Sequence, residues 1–178
     1  MRPVTLVGLP GSGKSTVGRQ LARRLGVAFV DSDAAIEQRL GCSIRAHFER
    51  EGEAAFRAIE RGVLAELVGG RDGVIATGGG AVLNDDTRQA LRADTTCIYL
   101  HSTPEDLFRR LRHDTKRPLL QVPDPLARLR EMFAERDPLY REAAHFVIET
   151  GRPSVATLVN MIVMQLELAG VLTPRAEP

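Results

Sequence analysis

Residues 8–16, Gly-Leu-Pro-Gly-Ser-Gly-Lys-Ser-Thr, match the phosphate-binding loop pattern G-x-x-x-x-G-K-[ST] at every position. The short apolar stretch Val4–Val7 precedes this loop, and apolar residues recur at helical spacing after it. A strand, a loop and a helix in this order are the context that the motif requires. We therefore favour a phosphate site over the alternative, a glycine-rich turn that contains a lysine by chance.

The chemistry of the loop suits a nucleotide. Its glycines allow backbone angles that a side chain would forbid, and its N–H groups point at an anion together with the start of the helix. Lys14 adds a positive charge for the β- and γ-phosphates, and the Ser15 hydroxyl is placed to bind Mg²⁺. We expect six residues to bind the nucleotide: Gly11, Ser12, Gly13, Lys14, Ser15 and Thr16.

The composition is that of a soluble, single-domain protein. The chain has 178 residues, of which 43% are hydrophobic, and 24 Lys and Arg balance 23 Asp and Glu. This balance gives no overall field that would attract nucleic acid or an anionic membrane, so we expect neither partner. Cys42 and Cys97 lack the spacing of metal ligands, and Cys97 falls in a predicted core strand. With no signal peptide or membrane-spanning run predicted, we expect a cytoplasmic protein.

Strands and helices alternate along the chain, which predicts a mostly parallel sheet covered on both faces. The predicted strands cover residues 4–7, 27–30, 74–77, 96–100 and 146–148. We expect one domain over residues 1–170 and a disordered tail over 171–178. Three helix predictions are tested below: one over residues 34–40, a short one over 87–91, and one from 125 to 136 that breaks or kinks at 137–140.

Three predicted strands end in residues that can surround one cleft, because ligands bind beyond the carboxyl ends of parallel strands. The first strand ends in the phosphate loop, the second in Asp31-Ser32-Asp33 and the third in Gly78-Gly79-Gly80. One aspartate can serve Mg²⁺ and the other can accept a hydrogen bond from an acceptor hydroxyl. Asp33 is equally well placed to cap the following helix. The glycines suit either close helix packing or a backbone surface pressed against a substrate.

Several short motifs, taken together, resemble the shikimate kinase family. They occur in the family's order over most of the chain, at residues 11–16, 31–33, 56–57, 78–80, 116–120 and 136–140. The resemblance implies a nucleoside-monophosphate-kinase-like, three-layer α/β/α fold with a five-stranded parallel sheet. It also implies transfer of the γ-phosphoryl group of ATP to the 3-hydroxyl of shikimate, in the route to chorismate and aromatic amino acids. Shikimate, ATP and Mg²⁺ are therefore the expected ligands, and a monomer is the expected state.

The resemblance also implies a role for individual residues. It places Lys14, Ser15 and Asp31 around the phosphates and Mg²⁺, and makes Lys14, Asp33 and Arg117 catalytic. Two arginines suit the carboxylate of shikimate and an aspartate suits a pair of its hydroxyls, although each arginine alone would more often be a solvated charge. The residues expected to bind shikimate are Asp33, Arg57, Gly78, Gly79, Gly80 and Arg136.

The nucleotide base and the lid are the remaining expectations. Arg110 and Arg152 fit by position the variable region that binds adenine in the family. Residues 112–124 interrupt the helical periodicity and contain two prolines, so we expect a mobile lid that brings Arg117 over ATP. Residues 32–61 are the expected substrate-binding region. The alternatives are a related small-molecule kinase, for gluconate or a nucleotide, and a non-catalytic ATP-binding switch.

Overall fold

The centre of the protein is a five-stranded parallel sheet, as predicted. The structure, a computed structural model, describes residues 1–70, 72–112 and 121–173. The strands are β1 (Val4–Val7), β2 (Phe29–Asp31), β3 (Val74–Ala76), β4 (Thr96–His101) and β5 (Phe146–Glu149). Their order across the sheet is β2-β3-β1-β4-β5, and every neighbouring pair is parallel. The strand that leads into the phosphate loop is thus the central one, with Val4 opposite both Val74 and Thr96.

Helices connect the strands and begin at recognisable signals in the sequence. Those in the described residues are α1 (Lys14–Leu25), α2 (Ser32–Leu40), α3 (Ile44–Glu51), α4 (Glu53–Val68), α5 (Asp85–Asp94), α6 (Pro104–Leu111), α7 (Pro125–Ala143) and α8 (Val155–Leu168). Thr103, Asp124 and Ser154 cap α6, α7 and α8 by accepting a backbone N–H bond in the first turn. None of these described helices combines the length and the apolar character that crossing a membrane would need.

The helices cover both faces of the sheet. Alternate residues of β4 point to opposite faces, with Ile98 and Leu100 packed beside α1 and α8 and with Cys97 and Tyr99 packed beside α5 and α7. Cys97 is fully buried, and burial raises the pKa of its thiol to about 12, so it is a packing residue. A separate cluster around Ile36 joins α2, α3 and α4 next to the sheet edge at β2.

One predicted helix start is wrong, with a consequence for the site. The helix that was expected to start at residue 34 begins at Ser32, because Asp31 is its N-cap. The Asp31 Oδ1 atom accepts the backbone N–H groups of Asp33 and Ala34 at 2.9 and 3.2 Å. Asp33 therefore lies inside the first turn and does not cap the helix, which leaves its carboxylate available for other contacts.

Two other helices are longer than predicted. Helix α5 extends from Asp85 to Asp94 because Asn84 caps it by accepting the Thr87 N–H bond, two residues before the expected start. Helix α7 continues through Pro138, so of the predicted break or kink the break is wrong. A proline inside a helix lacks the N–H group that would bond to the carbonyl four residues earlier, and contacts with other elements hold the helix together there.

The C-terminal residues extend the packing of α8. The backbone N–H groups of Val171 and Leu172 donate to the Leu166 carbonyl at 2.9 and 3.2 Å, and both side chains pack against the cluster that contains α8. Residues 174–178, which are the rest of the predicted tail, lie outside the described residues.

Candidate active site

The phosphate loop has the backbone geometry that anion binding requires. Gly11 and Gly13 have φ of 83° and 94°, in the left-handed region that glycine adopts without strain. Gly13 is also the N-cap of α1, and because glycine has no side chain, it cannot occupy the N–H groups in the first turn of the helix. These groups are therefore left to bind an anion at the loop. The Lys14 side chain is buried, and its Nζ atom donates to the carbonyls of Gly8 and Leu9 at 2.8 and 2.9 Å.

A cavity of about 380 Å³ opens where β1, β2 and β3 end. This is the place at which a parallel sheet binds its ligands, and the three predicted strand ends do meet there. Its walls are formed by the phosphate loop, the end of β2 and the segment after β3: Pro10, Gly11, Gly13, Lys14, Ser15, Thr16, Asp31, Asp33, Thr77, Gly78 and Gly79.

Oxygen atoms suited to a hard cation line one side of this cavity. The Ser15 Oγ atom donates a hydrogen bond of 2.5 Å to Asp31 Oδ2. Magnesium prefers oxygen ligands and is commonly held by one or two protein groups together with substrate phosphates. A hydroxyl beside a carboxylate, both next to the phosphate loop, fits that kind of site.

Asp33 lies on the same cavity, in the first turn of α2. Burial, reinforced by the neighbouring carboxylates of Asp31 and Glu60, raises its pKa from the ordinary 3.8 to about 6, against a lowering by Lys14. A Cβ atom at position 78 would lie 2.6 Å from Asp33 Oδ1, so only glycine fits there. The glycine segment and the aspartate are therefore packed directly together.

Glu60 is a site residue that the sequence analysis missed. It is 3% exposed, and its Oε1 atom accepts a hydrogen bond of 2.8 Å from Arg57 Nη1. Burial raises the pKa of Glu60, while the bond from Arg57 and the charge of Arg136 lower it. A glutamate on the apolar face of α4, between Phe56 and Val63, was the available signal, because a charged residue rarely occupies a buried helix face without a partner.

Of the two predicted shikimate-binding arginines, Arg57 adjoins the glycine segment and Arg136 lies near Glu60. A Cβ atom at position 80 would overlap the Arg57 guanidinium, and Arg136 is close enough to lower the pKa of Glu60. Within the described part of the chain, the Nε atoms of both arginines are buried and have no hydrogen-bond partner, although Arg57 Nε lies 3.5 Å from Glu53 Oε1. Buried donors of this kind are usually satisfied, so a ligand that brings acceptors is expected beside them.

Arg110 and Arg152, the residues predicted to bind adenine, are linked through the segment that follows β5. The Arg110 Nη2 atom donates to the Thr150 carbonyl and to its Oγ1 atom at 3.0 and 3.2 Å, and Arg152 follows two residues later in an exposed turn. The structure thus brings Arg110 close to the segment that carries Arg152. Arg117 and most of the predicted lid lie outside the described residues.

The geometry agrees with what comparison with known proteins shows. A sequence model of shikimate kinases matches residues 10–167, which is most of the chain. The chain belongs to the shikimate kinase family. The shikimate kinase of Paracidovorax citrulli is 60% identical to it over 96% of this chain and 95% of the relative. That of Ralstonia nicotianae is 56% identical over 97% of this chain and 91% of the relative.

Solved structures agree with the family and with the fold. Shikimate kinase from Acinetobacter baumannii, solved in complex with shikimate, has a TM-score of 0.90 and 43% identity, covering 97% of this chain and 96% of that one. A gluconokinase from Sinorhizobium meliloti has a TM-score of 0.56 and 18% identity over 94% of this chain and 93% of that one, so it shares the fold alone. The predicted P-loop kinase architecture is confirmed, and the gluconate and switch alternatives are not favoured. The chain is an ATP-dependent phosphotransferase.

Proposed function

We propose that this protein transfers the γ-phosphoryl group of ATP to the 3-hydroxyl of shikimate, giving shikimate 3-phosphate and ADP on the route to chorismate. The observation that carries the proposal is a phosphate-loop cavity lined by Asp33 and Gly78, with Arg57 and Arg136 beside it around the buried Glu60. A ligand with one carboxylate and several hydroxyls matches this charge pattern. The shikimate bound to the 43% identical relative supports the same acceptor.

The phosphate side of the site stabilises charge. The N–H groups of residues 11–16 surround the phosphates, and Lys14 leaves the Gly8 and Leu9 carbonyls to contact the β- and γ-oxygens. Ser15 and Asp31 are the residues that would hold Mg²⁺. When bound, Mg²⁺ would neutralise charge on the transferring phosphoryl group. These contacts act on charge that develops in the transition state, where such stabilisation is most effective.

The acceptor side of the site orients the hydroxyl. Arg57 and Arg136 bind the shikimate carboxylate through their guanidinium N–H groups, and the segment Gly78–Gly80 offers backbone groups close to the ring. Asp33 accepts a hydrogen bond from the 3-hydroxyl and takes its proton as the oxygen bonds to the phosphorus atom and ADP leaves. A pKa of about 6 keeps Asp33 ionised at neutral pH and basic enough to receive that proton.

The remaining assignments follow from the family and from position. Arg110 and Arg152 bind the adenine end of ATP, and Arg117 contacts its phosphates from a lid over residues 112–124. The protein acts as a monomer in the cytoplasm. The free thiols of Cys42 and Cys97 support a reducing compartment.

The proposal is tested by measuring ADP release with each of four acceptor conditions: shikimate, gluconate, a nucleoside monophosphate, and none. We expect rapid release with shikimate alone and a product phosphorylated at the 3-oxygen, located by ³¹P–¹H correlation spectroscopy. Lys14→Ala protein is the control for contaminating kinases. Release at the same rate without an acceptor, or a preference for gluconate or the nucleotide, would show that the proposal is wrong.

A further inference from the structure

The helix that carries Arg136 lacks a backbone hydrogen bond close to that residue. Helix α7 contains Pro138, which has no N–H group to donate to the carbonyl of Ala134. Arg136 lies between these two residues, in the turn that has lost its bond. A helix turn of this kind is less firmly fixed by its own backbone, so the direction of the arginine depends on contacts with other elements.

Two tyrosines supply those contacts. Tyr140, one turn after Arg136, is fully buried, and its hydroxyl donates a hydrogen bond of 2.5 Å to the Gly79 carbonyl. Its ring lies 4.9 Å from the ring of Tyr99 on β4, measured between centroids. The Tyr99 hydroxyl in turn donates to Asp137 Oδ1 at 2.7 Å. The residues on both sides of Pro138 are thus tied to the sheet and to the glycine segment.

The bond from Tyr140 joins two parts of the acceptor site. Gly79 lines the cavity, and Arg136 lies near enough to Tyr140 to lower its pKa against the larger increase caused by burial. Since burial dominates, the Tyr140 hydroxyl stays protonated and remains a donor. A single side chain therefore sets the spacing between a guanidinium and a backbone segment that belong to different elements.

We propose that Tyr140 is a positioning residue for shikimate: its hydroxyl fixes the Gly79 segment, and its ring fixes the turn that carries Arg136, before the substrate binds. This inference rests on the proposed shikimate-binding role of Arg136. Pre-organised contacts raise affinity because less ordering is needed on binding. The phosphate loop proposed to bind the nucleotide makes none of these tyrosine bonds, so we expect the main effect on shikimate.

The test is Tyr140→Phe, which keeps the ring and removes the hydroxyl. We expect the Kd and KM for shikimate to rise about tenfold, which is the loss of affinity that one hydrogen bond accounts for. The kcat and the Kd for ATP should change less than about twofold. Thr5→Val is the matched control, because it removes a buried hydroxyl that bonds to Thr95 Oγ1 at 2.8 Å, near the start of the central strand. It should lower the melting temperature without changing either affinity.

Two further variants make the outcomes separable. Arg136→Ala tests the proposed function by itself: unchanged shikimate affinity in this variant would overturn the role of Arg136, whatever Tyr140→Phe does. Tyr99→Phe removes the hydrogen bond from Tyr99 on β4 to Asp137 on α7. It should raise the KM for shikimate by a smaller factor than Tyr140→Phe does. If Arg136→Ala weakens shikimate binding but neither tyrosine variant does, or if Thr5→Val raises the shikimate KM equally, the positioning role is wrong.

Discussion

Ser15 Oγ and Asp31 Oδ2 lie 2.5 Å apart and join the first turn of α1 to the end of β2. The other oxygen of the same carboxylate caps α2 through the N–H groups of Asp33 and Ala34. Asp31 therefore has two tasks that can be separated. One oxygen holds the start of the helix that carries Asp33, and the other is available, with Ser15, to a cation.

Substitution of Asp31 should separate these tasks. Asparagine is a good N-cap, so Asp31→Asn should leave the melting temperature nearly unchanged while it raises the Mg²⁺ concentration needed for half-maximal turnover. Asp31→Ala should raise this Mg²⁺ concentration as well. It should also lower the stability of the fold by about 1 kcal/mol, because the helix cap is lost. Mg²⁺ titrations and thermal melts of the two variants provide the measurements. Equal Mg²⁺ requirements in Asp31→Asn and wild-type protein would contradict the metal assignment.

Lys14 is expected to act on the transition state. Lys14→Ala should remove nearly all turnover from a folded protein, because loss of one charged contact to the phosphoryl group raises the barrier by several kcal/mol, by analogy with about 3 for a lost oxyanion donor. Arg23→Ala, at the exposed end of the same helix, is the control and should keep full activity. Steady-state kinetics with circular dichroism would check both, and a folded Lys14→Ala protein with near-normal kcat would disprove this role.

Variants of the two arginines should differ in stability, although both should bind shikimate more weakly. Arg57→Ala and Arg136→Ala should each weaken shikimate binding by about 1.5–3 kcal/mol and leave ATP affinity unchanged. Arg57→Ala should destabilise the fold more than Arg136→Ala, because it leaves the buried Glu60 without its bond of 2.8 Å. No carboxylate of the described residues pairs with Arg136 within 4.0 Å. Calorimetric titration measures the two affinities, and thermal melts measure the stability of each variant. If either variant binds ATP more weakly, the arginine it lacks would be reassigned to the nucleotide.

Much of the fold could be predicted because its signals are local. The phosphate loop, the Thr103-Pro104 and Asp124-Pro125 helix starts, and the apolar strands each depend on a few adjacent residues. The start of α2 was harder to predict, because both Asp31 and Asp33 are good caps. Contacts with other elements fix Asp31 in that position: it pairs with Ala76 in the sheet and accepts the bond from Ser15. The continuation of α7 through Pro138 was hard to predict for a similar reason, since the partners that hold the helix there, Gly79 and Tyr99, lie on distant segments.

At the acceptor site, too, some residues could be predicted from local motifs and others depend on contacts made only in the fold. The resemblance predicts roles for Asp33, Arg57 and Arg136, and the structure places Asp33 and Arg57 against the glycine segment and Arg136 near Glu60. Glu60 could not be assigned from its neighbours alone, because its role depends on burial and on the charges that surround it. The raised pKa of Asp33 likewise comes mainly from burial, and in part from Glu60 on another helix, neither of which the neighbouring residues reveal.

That raised pKa predicts how activity depends on pH. If Asp33 must be ionised to accept the proton, kcat/KM for shikimate at saturating ATP should fall about tenfold per pH unit below a midpoint near 6. Asp33→Asn should lose nearly all turnover while it keeps its affinity for ATP. A rate that stays level from pH 8 to pH 5 would show that Asp33 only positions the hydroxyl.

The same shift predicts that the ionised carboxylate of Asp33 destabilises the fold. The pKa of Asp33 is about 6 in the folded protein and 3.8 ordinarily, so the folded state binds the proton more tightly. The stability that protonation of Asp33 contributes is therefore fully present below about pH 4 and is lost as the pH rises through about 6. Asp33→Asn cannot ionise and should be more stable than wild type at pH 8 by about 1–3 kcal/mol, but not at pH 4. Asp94→Asn, at an exposed carboxylate on α5, is the control for lost charge, and an equal gain in that variant would contradict the argument.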